Sequence, residues 1–326
     1  MNNLLKLLDC SKDDIINILD LADQLKYEKK HNIPHRHLEG KSLGMIFQKF
    51  STRTRVSFET GMYQLGGQAL FLTNHDLQIG RGELVKDTAR VLSRYLDGIV
   101  IRTYDQEEAE ILADCGSIPV INGLTNFAHP CQVLADLMTV REHFAQLEGL
   151  KMGFVGDGFN MCNSLIVGCL KVGMKVSVAT PEGYEPDAKV LAFAEEMKKQ
   201  GASFELSHDI HQAADNADVL FTDAWIGMGQ EAEAEKRRQR NQRVGDHQRH
   251  ADVQARIFAH DHGDDVRSAA GGVQMEQNRR TDGRKQYREA QFQQRLVRQR
   301  VVKRPEALHD VDRQRQHDRA IHRAER

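Results

Sequence analysis

The residues with most chemical promise form one short stretch, Phe47-Gln48-Lys49-Phe50-Ser51-Thr52-Arg53-Thr54-Arg55. It follows the apolar run Leu43–Phe47 and opens a helical pattern in which Val56, Met62 and Leu65 supply an apolar face, with Ser51 as the N-cap. A helix start presents unsatisfied N–H groups and a positive dipole end. Two hydroxyls and two arginines added there make a cradle for an oxyanion. A capped helix with surface arginines is the alternative. Further along, Arg102 stands just past the strand-like run Gly98–Ile101, where open α/β sheets bind ligands, or else serves as a surface ion-pair partner. His129-Pro130-Cys131-Gln132 precedes another helix, with proline where no donor is wasted. His129 and Gln132 can face one ligand, and an imidazole donor beside a carbonyl would polarise it. A polar core or surface histidine is the plainer reading.

Two later segments suit a second ligand. Phe154-Val155-Gly156-Asp157-Gly158-Phe159-Asn160 is a strand followed by a glycine-rich turn. It superficially suggests a dinucleotide fingerprint, but Met161 occupies the third glycine position, so a nicotinamide cofactor is not expected. Asn160 is then either a turn former or a ligand contact. Thr222-Asp223-Ala224-Trp225-Ile226-Gly227-Met228-Gly229 ends another strand, and a carboxylate such as Asp223 at that place suits a cationic amino group.

Positioning these groups falls to short apolar runs alternating with helical patterns. Strands are expected at Leu43–Phe47, Ala69–Leu72, Gly98–Ile101, Ile118–Ile121, Met152–Val155, Val176–Ala179 and Val219–Thr222. Helices are expected at Glu83–Tyr95, Gln106–Asp114, Gln132–Phe144, Ser164–Val172 and Asp187–Lys199. The alternation predicts an α/β protein of two domains, each with a mainly parallel sheet flanked by helices. A helix near Val133–Leu147 bridges them, which puts the boundaries at 1–147 and 148–238.

From residue 239 the chemistry changes. Residues 1–238 carry 25 Lys+Arg against 34 Asp+Glu, whereas 239–326 carry 20 against 13, so the overall charge of −2 describes neither part. The last 88 residues hold 18 of the 28 arginines but only two leucines, too few large apolar groups for a core. A disordered basic tail is expected there. A nucleic-acid arm, the competing reading, would bind in a salt-sensitive way. Five cysteines without CxxC spacing, no secretory signal pattern and no long apolar run point to a cytoplasmic chain without a zinc site, disulfide framework or membrane span.

Phe47 to Thr54 matches at every position the carbamoyl-phosphate motif of the aspartate and ornithine carbamoyltransferases, and the chain resembles that family from about residue 4 to about 238. The resemblance implies that Ser51, Thr52, Arg53 and Thr54 hold the phosphate of carbamoyl phosphate. It implies contacts to the same substrate from Arg102 and, through an HPxQ motif, from His129 and Gln132. Gln78, in a segment whose Asp87-Thr88-Ala89-Arg90-Val91-Leu92 also matches the ornithine branch, reaches a neighbouring subunit's site in this family, so a homotrimer is expected. Leu84 stands where a Ser or Thr is usual. The GDGxN turn and a DxWxSMG-like segment imply that Asn160, Asp223 and Met228 meet L-ornithine; Gly227 replaces the motif's serine. Arg53, Arg102 and His129 are the expected catalytic residues of a transfer that yields L-citrulline and phosphate and needs neither metal nor cofactor.

The family continues with further βα units, an HCLP motif and a returning helix. This sequence has no HCLP and no cysteine after Cys169. An incomplete second domain is therefore expected, with reduced solubility or activity, and a chain that binds carbamoyl phosphate without turnover is the alternative. The abrupt shift near 238 reads as an out-of-frame translation. Another frame of the coding sequence should encode HCLP.

Overall fold

Apolar runs bounded by glycine, proline or aspartate become strands, buried at the centre of each sheet and less so at its edges, and the polar-striped segments between them become the covering helices. The computed structural model describes residues 1–73 and 76–223. After α1 (Lys12–Lys30) the chain runs β1 (Ser42–Phe47), α2 (Thr52–Gln64), β2 (Gln68–Thr73), α3 (Val85–Leu92), β3 (Gly98–Arg102), α4 (Gln106–Cys115), β4 (Val120–Leu124) and α5 (Pro130–Phe144). The second half follows as β5 (Lys151–Val155), α6 (Asn160–Lys171), β6 (Lys175–Ala179), α7 (Ala188–Lys199), β7 (Phe204–Ser207), α8 (Ile210–Ala214) and β8 (Val219–Phe221). The expected tail, residues 239–326, and Met228 lie outside the described residues.

Each half builds a four-stranded, wholly parallel sheet among the described residues, ordered β2-β1-β3-β4 and β7-β6-β5-β8. In both, the strand order reverses direction once, between β1 and β3 in the first sheet and between β5 and β8 in the second. A crevice opens at such a reversal beyond the carboxyl ends of the strands. The two α/β layers agree with the fold class expected from the sequence.

Several boundaries differ. β4 was expected at Ile118–Ile121 and lies at Val120–Leu124: Pro119 has no N–H to give, and the ladder begins after it. α3 is shorter than the expected span of 83–95, its N-cap Leu84 offering no side-chain acceptor. The helix α1 was not expected. It is set by a capping box in which Ser11 and Asp14 exchange hydrogen bonds, and it is otherwise largely polar. The edge strand β7 and the short α8 were also not anticipated.

The bridging helix α5 buries Val133, Leu134, Leu137 and Val140 together with α1's Ile15 and Leu19 and α6's Leu165, Ile166 and Cys169. Gly168 permits the close approach, since a Cβ there would meet Val133 at 2.8 Å and Leu7 at 3.0 Å. Two smaller clusters line the faces of the first sheet, one around Ile46, Ile99 and Ile101 and one around Met45, Phe47 and Val100.

Candidate active site

Ser51 caps α2, its hydroxyl oxygen accepting from the Thr54 N–H at 3.2 Å, while Ser51 Oγ donates to Thr54 Oγ1 at 3.0 Å. Thr52 and Arg53 are exposed at the mouth of this first turn. Arg55, next along, is committed elsewhere: it pairs with Glu59 and lies over the Phe71 ring. The helix start therefore presents Ser51, Thr52, Arg53 and Thr54, as the sequence suggested, at the end of a strand beside the first sheet's reversal.

Arg102 ends β3 on the other side of that reversal. The register of β3 against β4 slips there: Ile101 faces Asn122 but Arg102 faces Leu124. An extra residue of this kind bends a strand and re-aims its side chains. The residue passed over is Gly123, where a Cβ would sit 3.3 Å from the Ile101 carbonyl and 3.7 Å from the Thr54 methyl group. Arg102 is buried, at 4% exposure, and its Nε has no hydrogen-bond partner. Burial, with the nearby Arg53 charge, lowers its pKa to about 10. Among the described residues neither arginine pairs with a carboxylate. Two guanidinium groups held in each other's field are stabilised by an anion.

His129 is the N-cap of α5. Its Nδ1 is buried without a partner, and burial together with the Arg102 charge pulls its pKa down to about 3. The imidazole is thus neutral at any ordinary pH. The loop that carries it is gripped from the second half by three residues on one face of α6. The Asn160 amide donates to the Thr125 carbonyl at 2.7 Å, the Asn163 amide donates to the Phe127 carbonyl at 3.1 Å, and the His129 N–H donates to Ser164 Oγ at 2.9 Å. Their i, i+3, i+4 spacing aligns them. Asn163 and Ser164 were missed in the sequence, although polar groups at that spacing in an otherwise apolar helix are a usable signal. Asn160, expected as a turn former or a ligand contact, is found tying the halves together through its amide.

Gln132, in the first turn of α5, donates its amide to Asp136 Oδ1 at 3.0 Å. Asp136 is itself buried, and burial with the Asp223 charge raises its pKa to about 7. Asp223, at the end of β8, is exposed, and a Cβ built on Gly156 would lie 3.8 Å from its backbone nitrogen. The glycine-rich turn and Asp223 therefore flank the second sheet's reversal. Gln78 is exposed on a one-turn helix, Gln78–Arg81.

A further buried cation was not anticipated. Lys49 donates to Asn126 Oδ1 at 2.6 Å and stands 4.3 Å over the Tyr104 ring. With the Asn126 N–H on the Tyr104 carbonyl, and the Gln48 and Lys49 N–H groups on the Arg102 carbonyl, it stitches together the loops after β1, β3 and β4. Among the described residues no group of three His, Cys, Asp or Glu side chains could hold a metal ion.

The family profile described as aspartate/ornithine carbamoyltransferase, carbamoyl-P binding domain, matches residues 2–142, and the corresponding Asp/Orn binding domain matches residues 148–254. The second match runs past residue 238, where the sequence reading ended the resemblance. The ornithine carbamoyltransferase of Thermococcus kodakarensis is 54% identical over 237 residues, 72% of this chain and 75% of that protein. That of Carboxydothermus hydrogenoformans is 54% identical over 236 residues, 72% and 76% of the two chains. Among solved structures, the ornithine carbamoyltransferase of Pyrococcus furiosus superposes with a TM-score of 0.70 at 54% identity, covering 73% of this chain and 76% of that one. The anabolic enzyme of Campylobacter jejuni superposes at 0.67 with 39% identity, over 73% and 77%.

Proposed function

Since the chain belongs to the aspartate/ornithine carbamoyltransferase family, we propose that it transfers the carbamoyl group of carbamoyl phosphate to the δ-amine of L-ornithine, giving L-citrulline and phosphate. The observation that carries this reading is the convergence of a capped helix start, two arginines that pair with no carboxylate among the described residues and a neutral histidine whose Nδ1 is buried, at one sheet reversal.

In this reading Ser51, Thr52, Arg53 and Thr54 hold the phosphate, with the N–H groups of α2 and the Arg102 charge behind them. The deprotonated δ-amine attacks the carbonyl carbon. Charge that develops on the carbonyl oxygen is met by Arg53, Thr54, Arg102 and the imidazole of His129, which donates a hydrogen bond without having to give up a proton. The new C–N bond forms as the C–O bond to phosphate breaks. The leaving phosphate takes the amine's proton, so no side-chain base is needed. Gln132 faces the carbamoyl group, and Asn160, Asp223 and Met228 meet ornithine, Asp223 through its amino group. Positioning by the two halves supplies much of the rate.

Gln78 completes the site of a neighbouring subunit in a homotrimer. Its exposure, and the exposed apolar side chains of Leu84, Val91 and Tyr95 on and beside α3, support a subunit contact on that face. The domain boundaries proposed are 1–147 for carbamoyl phosphate and 148–238 for a partial ornithine domain. Five free cysteines suit a reducing cytoplasm, and among the described residues no helix is long and apolar enough to cross a membrane.

The test is citrulline formation by the purified full chain supplied with carbamoyl phosphate and L-ornithine at neutral pH. Product formation is expected; neither product nor calorimetric binding of carbamoyl phosphate overturns the reading. A second reading has its own support, because alignment with the relatives ends after about 237 residues. It is a chain that binds carbamoyl phosphate without turnover, and binding without citrulline is its result.

A further inference from the structure

An aspartate sits where α5 should be apolar. Asp136 shares the inward stripe with Val133, Leu134, Leu137 and Val140, and is only 6% exposed. Carboxyl groups are seldom buried so deeply unless a polar partner requires it. The partner here is Gln132, whose Nε2 donates to Asp136 Oδ1 at 3.0 Å. A carboxyl oxygen accepts from an amide N–H whether or not the group's other oxygen carries a proton, and Asp136 Oδ1 faces the NH2 end of the Gln132 amide. Among the described residues the other end, Gln132 Oε1, has no protein partner. We propose that Asp136 is a positioning residue: it holds the Gln132 amide with its oxygen towards the site, and the site thereby selects an acyl phosphate that carries an NH2 donor over one that carries a methyl group in the same place.

The inference rests on the proposed function, because it assumes that Gln132 meets the acyl end of carbamoyl phosphate. It goes further in giving the discrimination a cause one helical turn away from the ligand. Removing the acceptor leaves the NH2 of Gln132 against an apolar wall, and the amide must turn or leave the site. An isosteric amide at position 136 still offers an oxygen.

Three ligands separate the possibilities in calorimetric titrations of the full chain: carbamoyl phosphate, acetyl phosphate and inorganic phosphate. The unmodified chain is expected to prefer carbamoyl phosphate over acetyl phosphate. Asp136→Leu is expected to lose about tenfold of that preference, the factor that one hydrogen bond controls, with affinity for inorganic phosphate unchanged. Asp136→Asn is expected to keep the preference within about threefold. If Asp136→Leu fails to fold, Gln132→Met, of similar length but without the acceptor, must bind carbamoyl and acetyl phosphate alike. Unaltered preference in Asp136→Leu or in Gln132→Met overturns the proposal. So does an equal weakening of all three ligands in Asp136→Leu, which marks a merely structural role. An unmodified chain that binds none of the three overturns the functional reading itself, a result distinct from any of these.

Discussion

Two groups of the site titrate in opposite senses, and mild acid exposes the difference. Folded His129 stays neutral down to about pH 3, against 6.5 for an open histidine. Folded Asp136 keeps its proton up to about pH 7, against 3.8 for an open aspartate. Between roughly pH 4 and pH 6.5 the unfolded chain therefore binds one more proton at 129 and one fewer at 136. The histidine's contribution is fully present above pH 6.5 and is lost as pH falls towards 3. The aspartate's is fully present below pH 3.8 and is lost as pH rises towards 7. Each proton shifts stability by about 1.4 kcal/mol per pH unit, so in the unmodified chain the two slopes offset one another. Asp136→Asn uncovers the histidine. Relative to the unmodified chain it should lose about 2 kcal/mol between about pH 6 and about pH 4.5. His129→Gln uncovers the aspartate and should gain about 2 kcal/mol over the same interval. Urea unfolding followed by far-UV circular dichroism measures both, provided that the denaturant slope stays constant. Parallel pH profiles for all three chains, or shifts of one sign in both variants, would refute the reasoning.

Arg53→Ala removes a charged contact at the mouth of α2 and should weaken carbamoyl phosphate binding about 10- to 100-fold by calorimetry, leaving the melting temperature unchanged. Gly158→Ala forces a Cβ to within 2.3 Å of the Glu185 carbonyl carbon and 2.4 Å of Pro186 N. Both are backbone atoms, so a loss of about 1–3 kcal/mol in urea unfolding is expected. Leu84→Ser gives α3 the side-chain cap it lacks. It should raise stability by about 0.5–1 kcal/mol, read as a higher melting temperature.

What could be read from the sequence was local. Ser51 and the hydroxyls and arginines after it disclose a capped helix start because capping is settled within four residues. The parallel sheets follow from short apolar runs separated by helical patterns. Asn122-Gly123 reads as a turn in isolation, yet both residues lie in β4. The Asn122 amide finds the Leu5 carbonyl, far away in sequence, at 2.8 Å. Gly123 lies close against β3. The edge strand β7 escaped because its apolar–polar alternation, Phe204-Glu205-Leu206-Ser207, lasts only four residues. In the site, the motifs singled out Arg102 and His129, but their altered protonation arises from burial, with the Arg53 charge acting on Arg102 and the Arg102 charge on His129. Neither cause is visible before the chain folds. The grip of Asn163 and Ser164 on the histidine loop joins segments about 35 residues apart, and no local pattern announces such a pairing.

That grip has a mechanical meaning. The backbone of His129 is fastened to α6, whereas Arg102 ends a strand of the first sheet and Ser51 caps the helix that follows another. A hinge motion in which the histidine loop follows α6 would draw the imidazole away from the guanidinium and into water. Its protonation would then climb back towards that of a free histidine, so the ring's NMR shift near pH 6 becomes a built-in gauge of whether the jaws are open or shut.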